Sequence, residues 1–205
     1  MKHEQTLNLF ISPVSIFNLD LDTAKVLKVL KKSKWAPAVI EQKDLYTNNL
    51  KNLYTSPHQI LSKLPQLSKE INKACQSYID NVLQIEGKGR IGNSWGVKAA
   101  PGGCSLVHYH SNSWFSGSYY PETNPAFALR LHNPNKFAWD GVRKAYNTYN
   151  SASWLIPPRA DQLILFPSSL SHEVCFNNSN QDRYSIAFNI VPTGKFGHDD
   201  STVTL

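Results

Sequence analysis

Two histidines, His108 and His110, stand two residues apart in the segment 105–111, SLVHYHS. Side chains alternate across a strand, so in an extended segment both imidazoles leave on one face and offer the beginnings of a metal site. A third histidine, His172, follows the run LILFP and a few small polar residues, where a strand gives way at the mouth of a cavity. Arg183 lies eleven residues further on, with Ser185 two beyond it. A guanidinium can grip a carboxylate through two parallel hydrogen bonds while a hydroxyl adds one more, which suits a small dicarboxylate. The segments 172–176 (HEVCF) and 183–188 (RYSIAF) flank the polar stretch NNSNQD, which reads as a hairpin turn. A simple hairpin there puts His172, Val174, Arg183 and Ser185 on one face, so that metal ligand and anion site share a ladder.

Those residues need a scaffold, and from about Arg90 onward the chain supplies one in short apolar runs broken by Gly, Pro, Asn and Ser. The runs IGNSWGVKAA, SLVHYHS, WFSGSYYP, FALRLHN, SWLIPP, QLILFP, HEVCF and RYSIAFNIV are predicted strands. Eight short strands suggest a jelly roll or similar double sheet. Ahead of them the texture is helical. LNLFISPVSIFNL reads as an edge strand that tolerates Pro13, and Asp22 and Thr23 cap a short helix carrying Val26, Leu27 and Leu30. Residues 56–87 carry a longer apolar stripe of Ile60, Leu61, Leu64, Leu67, Ile71, Ala74, Tyr78 and Val82. Pro65 is expected to break that region and Gly87 to stop it.

The order of these features resembles the iron(II)/2-oxoglutarate-dependent oxygenases, and most closely their phage and bacterial branch. That branch shows SW, then HxH, SGxYY, LFPxxxxHEV and RxSIAFN. Here the elements are Ser94-Trp95, His108-Tyr109-His110, the run from Ser116 to Tyr120, Leu165-Phe166-Pro167 with His172-Glu173-Val174, and the run from Arg183 to Asn189. The resemblance is strong over about residues 90–190 and loose before them. It implies a double-stranded β-helix, the cupin-like jelly roll, braced by N-terminal helices. It also implies iron(II) on His108, His110 and His172, with 2-oxoglutarate as cosubstrate held by Arg183 and Ser185. Tyr120 matches the residue that adds a phenol to the same carboxylate, and Ser116, Ser118 and Tyr120 alternate onto one face. The implied reaction consumes O2 and releases succinate and CO2, with hydroxylation of a substrate as its default outcome.

The resemblance departs from the wider superfamily at His110, where most members carry Asp or Glu. Three imidazoles then replace two imidazoles and a carboxylate and leave more positive charge on the metal, which a 2-oxoglutarate dianion offsets. Glu173 points away from the metal in a regular strand. Trp114, in the polar loop after the HxH segment, is read as bordering the substrate entrance, Trp95 as a core aromatic, and the segment 133–153 as a substrate-facing loop. His3, His58, His132 and His198 are read as non-ligands. Two alternatives stand beside this reading: a three-histidine cupin-type dioxygenase that does not use 2-oxoglutarate, and a non-catalytic jelly-roll binding module.

The bulk properties agree with a globular chain. Its 205 residues, 41% apolar and 18% charged, suit one domain. We divide it into a strand and supporting helices at 1–89, a β-helix core at 90–192 and a tail at 193–205. No apolar run approaches the roughly 18 residues that cross a bilayer. The N-terminus lacks the long apolar stretch of a secretory signal. The net charge of +6 comes entirely from residues 1–100, which hold 14 Lys and Arg against 8 Asp and Glu. The spacing of those lysines fits the solvated side of amphipathic helices better than a nucleic-acid surface. Three cysteines without metal-type spacing are expected to be reduced thiols of a cytoplasmic protein.

Overall fold

The computed structural model describes residues 4–5, 11–38, 52–123, 127–135 and 141–205. Two sheets organise it. The larger takes strands β1 (Ser15–Asn18), β2 (Ala36–Pro37), β3 (Leu53–Thr55), β4 (Lys88–Ala99), β5 (Phe115–Tyr120), β8 (Gln162–Pro167) and β10 (Arg183–Thr193). Its order is β1-β8-β5-β10-β4-β3-β2. The smaller sheet runs β7-β6-β9, from β7 (Ser153–Ile156), β6 (Leu129–His132) and β9 (His172–Val174). A two-stranded ribbon of β11 (Lys195–Phe196) and β12 (Val203–Thr204) closes the chain. No helix among the described residues is long and apolar enough to cross a membrane.

Strand alternation sorts the larger sheet into two apolar layers. Phe115, Tyr119, Leu163, Leu165, Ile186, Phe188 and Ile190 face the helices, where they meet Leu67, Ile71, Tyr78 and Ile79. Gly117 belongs to this side, and a Cβ there would stand 2.3 Å from the Phe188 ring, so only glycine lets β5 and β10 close over that ring. The opposite face meets the smaller sheet, with Tyr120, Ile164 and Phe166 packed on Leu129, Leu131 and Leu170. The functional candidates lie in this inter-sheet layer.

Helix α1 (Thr23–Lys31) begins where expected, with the Asp22 carboxylate accepting from the Ala24 N–H at 3.1 Å. Helix α2 (Pro65–Ser77) opens on its proline, after a 3-10 turn over Ile60–Lys63. Its end differs from expectation. The chain runs into a wide π-turn, Tyr78–Leu83, and stops at left-handed Gln84 (φ 52°), three residues before Gly87. The wider turn rotates the stripe, so Ile79 is fully buried while Val82 is exposed.

Two further expectations need correction. The edge strand is confined to β1 within the described residues, while its predicted start at 7–10 lies outside them. The HEVCF–RYSIAF hairpin does not form: β9 pairs with β6, whereas β10 lies between β4 and β5. The intervening polar stretch does turn, but Asn177 ties it elsewhere. Its Nδ2 donates to the Ala99 and Gln181 carbonyls, and its backbone N–H to the Gly103 carbonyl. The chain is thereby carried from the smaller sheet to the larger.

Candidate metal and anion site

The segment expected as the HxH strand is extended but forms a single bridge, His108 with His172. Each backbone N–H of that pair donates to the other's carbonyl, at 2.9 and 2.8 Å. The His110 N–H donates to the Ser168 carbonyl at 2.9 Å. These few bonds suffice to bring the three imidazoles together, with ring centroids 4.4 Å apart for His108 and His172, 5.0 Å for His110 and His172, and 5.3 Å for His108 and His110. One ring nitrogen from each lies within 4.8 Å of the others.

Hydrogen bonding selects which nitrogen is available. His108 Nδ1 meets the Leu106 carbonyl at 2.8 Å, and His172 Nδ1 meets the Leu170 carbonyl at 2.9 Å. A carbonyl only accepts, so both Nδ1 atoms carry the proton and both Nε2 atoms keep a lone pair. His110 Nδ1 meets Asn189 Oδ1, and Ser116 Oγ at 3.1 Å. Burial favours the neutral form of two of the rings: it lowers the His110 pKa, and it takes His172 down to about 3 with help from the neighbouring His108. Neutral imidazoles are the form a metal binds.

A second feature lies toward the start of β10. Arg183, Ser185, Ala187 and Asn189 alternate onto its inner face. Arg183 is 2% exposed, and among the described residues no carboxylate forms an ion pair with it. Its Nη2 reaches Ser185 Oγ at 3.3 Å, while Nε and Nη1 have no partner. The phenolic oxygen of Tyr120 is likewise buried without a partner. The guanidinium packs over the rings of Tyr120 and Phe127. Burial draws its pKa down to about 9, which still leaves it charged at neutral pH, and burial raises the Tyr120 phenol, which stays protonated. An enclosed cation with idle donors beside an idle hydroxyl forms a receptor for an anion.

Between this receptor and the imidazoles the inner face of β10 carries only Ser185 and Ala187, with Ser118 opposite Ala187 on β5. Side chains this small suit a site for a small molecule whose one end is a carboxylate and whose other end reaches a metal. An iron(II)-bound oxoacid fits both the donor set and the orphaned polar atoms.

Several neighbours went unread in the sequence. Asn189, Ser116 and Ser168 surround His110, and alternation along β5 and β10 points the first two inward. Phe127 stacks on Arg183, which no spacing announces. Trp95 packs on the core cluster of Leu53, Val97 and Ala99 as expected, and its ring also lies 5.7 Å from that of His110. Trp114 is not at the cluster: its ring packs on Phe115 and Phe196 against the helix-side core, because β5 and the C-terminal ribbon enclose it. Glu173 faces away from the imidazoles and pairs with Arg130 at 2.9 Å and His132 at 3.3 Å.

Residues 93–189 match the sequence family described as "Putative 2OG-Fe(II) oxygenase". No curated protein matches the chain in sequence. Among solved structures it is similar to HygX from Streptomyces hygroscopicus with nickel and 2-oxoglutarate bound, at 10% identity and a TM-score of 0.61, over 89% of this chain and 84% of that one. It is also similar to a Trichoplax adhaerens prolyl hydroxylase in complex with a hypoxia-inducible-factor peptide, at 16% identity and a TM-score of 0.58, over 87% and 83%. A Pseudomonas putida prolyl-4-hydroxylase gives 17% identity and a TM-score of 0.52, over 89% and 95%. These likenesses identify the two-sheet architecture as a double-stranded β-helix.

Proposed function

We propose, for a chain whose residues 93–189 place it among the iron(II)- and 2-oxoglutarate-dependent oxygenases, that His108, His110 and His172 hold the iron through Nε2 and that Arg183 anchors the oxoacid. When bound, iron and 2-oxoglutarate together activate dioxygen, with succinate and CO2 as coproducts. The protein's share is positional. Three imidazole ligands would leave the metal's charge to be balanced by the oxoacid, whose distal carboxylate would be held by Arg183 Nε and Nη1 and the Tyr120 hydroxyl, all three without a hydrogen-bond partner in the protein. Ser185 steadies Nη2. Phe127, Tyr120 and Phe166 keep water from the charged groups. The observation that carries the assignment is the buried, unpaired guanidinium in the same inter-sheet layer as three imidazoles with exposed lone pairs.

Hydroxylation of an organic substrate is the outcome we assign. The described part of the 133–153 segment, with 136–140 outside the described residues, supplies part of the substrate surface, since Asn133, Asn135, Tyr149 and Ser153 line a cleft of about 990 Å³ that also takes in Trp154 and Leu131. Register supports this: Leu131, which lines the cleft, pairs with His172 across the smaller sheet, so the cleft begins about one strand spacing, roughly 5 Å, from the backbone of that metal ligand. Cys75, Cys104 and Cys175 are thiols, which suits the reducing cytoplasm.

Protein purified without chelators is expected to bind one iron(II), or cobalt(II) as a surrogate, and to release succinate from 2-oxoglutarate under air. His108→Ala and His172→Ala should lose both properties. Equal metal content in wild type and both variants would overturn the assignment, and metal binding without 2-oxoglutarate turnover, even with substrate present, would favour a dioxygenase that takes no oxoacid.

A further inference from the structure

The three imidazoles are held by two different devices. His108 and His172 each turn Nδ1 onto a main-chain carbonyl two residues earlier, Leu106 and Leu170. Those bonds are local and carry their own polarity, because a carbonyl has no proton to give. His110, which stands where a carboxylate is more usual, has no such carbonyl. Its Nδ1 meets the side-chain oxygen of Asn189, which lies directly across from Ser116 in the ladder.

Asn189 Oδ1 also accepts from Ser116 Oγ at 2.9 Å, and Ser116 Oγ meets Ser168 Oγ at 2.8 Å. With the amide oxygen toward Ser116 and the ring, whose Nδ1 also lies 3.1 Å from Ser116 Oγ, the protons take one order. Ser116 spends its proton on Asn189, so Ser168 must donate to Ser116, and the Asn189 oxygen is left to receive Nδ1–H from His110. Beside Asn189 the β4–β10 register shifts, with Gly92 the extra residue on β4.

We infer that Asn189 is the positioning residue that makes His110 a metal ligand. This rests on the three-histidine reading above and deepens it. With the amide oxygen toward the ring, the proton sits on Nδ1 and Nε2 presents its lone pair to the metal. With the amide reversed, its N–H would donate to Nδ1, the ring proton would move to Nε2, and the lone pair would be lost. In the first orientation the amide oxygen accepts from both Ser116 Oγ and the ring.

The test is cobalt(II) affinity, by chelator competition, with the absorption spectrum as a second readout of geometry. Asn189→Leu, close in volume but without an acceptor, should weaken binding by about 10- to 100-fold, the usual cost of a lost ligand-orienting bond. Asn189→Asp keeps an oxygen facing Nδ1 and should restore affinity to within a few-fold of wild type with the wild-type spectrum. In a His110→Ala background, Asn189→Leu should have no further effect, since the ring it orients is gone. Equal cobalt affinity in Asn189→Leu and wild type would overturn the inference, as would equal losses from Asn189→Leu with and without His110. Failure of the wild-type protein to bind cobalt would instead overturn the three-histidine reading, and this assignment with it.

Discussion

The metal end and the anion end of the inter-sheet layer differ in how their polar atoms are satisfied. At the imidazoles every Nδ1 has an acceptor supplied by the protein: Leu106, Leu170 or Asn189. At Arg183, two donors and the Tyr120 hydroxyl have none. The first end is organised before anything binds, at little cost, because neutral rings are inexpensive to enclose. The second holds a charge out of water with only the Ser185 hydroxyl and two aromatic rings against it and no carboxylate paired to it, which is costly until an anion arrives. Metal affinity should therefore be largely built into the fold, while oxoacid binding should relieve a destabilised spot and be felt strongly in stability.

Arg183→Met breaks this contrast most sharply. It keeps much of the volume and removes the buried charge, so the ligand-free protein should be as stable as wild type or more so. Affinity for 2-oxoglutarate should fall by about 2–5 kcal/mol, roughly thirtyfold to a few thousandfold, the range for removing one partner of a buried charge pair. Thermal unfolding with and without 2-oxoglutarate reads both effects. In wild type, saturation at about a hundred times Kd adds about 2.7 kcal/mol, or several degrees for a chain of this length. At the same ligand concentration that shift should shrink to about 0.9 kcal/mol or less in the variant. A ligand-free variant that unfolds far below wild type would mean that the guanidinium is part of the scaffold, and the two ends would then not differ as described.

Proton uptake separates the ends next. His172 is nearly buried and its pKa is depressed to about 3, chiefly by burial, whereas an unfolded histidine takes up its proton near 6.5. Below about pH 6.5 the unfolded state binds a proton that the folded state refuses, so stability is full above that pH and falls as acid is added. The slope is at most about 1.4 kcal/mol per pH unit for this ring. Metal-free His172→Gln should therefore lose about 2 kcal/mol less than wild type between pH 7 and 5 in urea unfolding. Arg183, drawn down only to about 9, is charged in both states over that range and adds no slope. Parallel pH profiles for wild type and His172→Gln would place the acid sensitivity elsewhere.

The two ends were unequally legible in the sequence. Spacing of two brought His108 and His110 to one side even though their segment forms one bridge rather than a full strand, because any extended backbone alternates its side chains. Arg183 and Ser185 likewise read correctly as a pair on one face. Their relation to His172 did not, because turn composition announces a reversal without naming the partner strand. Asn177, which binds Ala99 at the end of β4, decides that partner through tertiary contacts. The π-turn at Tyr78–Leu83 escaped for a related reason, since an apolar stripe reports helical spacing but not one locally widened turn. Trp114 was misplaced because a polar loop says nothing about which core its aromatic residue will join.

The smallest expected effect tests whether the anion end works as a unit. Ser185 Oγ accepts from Arg183 Nη2 at 3.3 Å, a long bond between buried groups. Ser185→Ala removes that acceptor without creating a large cavity, and a single hydrogen bond contributes about 0.5–1.5 kcal/mol. The affinity for 2-oxoglutarate should fall by up to about tenfold, less than in Arg183→Met, because the guanidinium keeps the two donors that face the carboxylate. Cobalt affinity should not change, since Ser185 touches none of the imidazoles or their acceptors. Calorimetric titration of each ligand measures both values on one sample. If cobalt binding weakened along with the oxoacid, the small residues between the ends would be transmitting order from one to the other, and the metal end could no longer be treated as organised by its own hydrogen bonds.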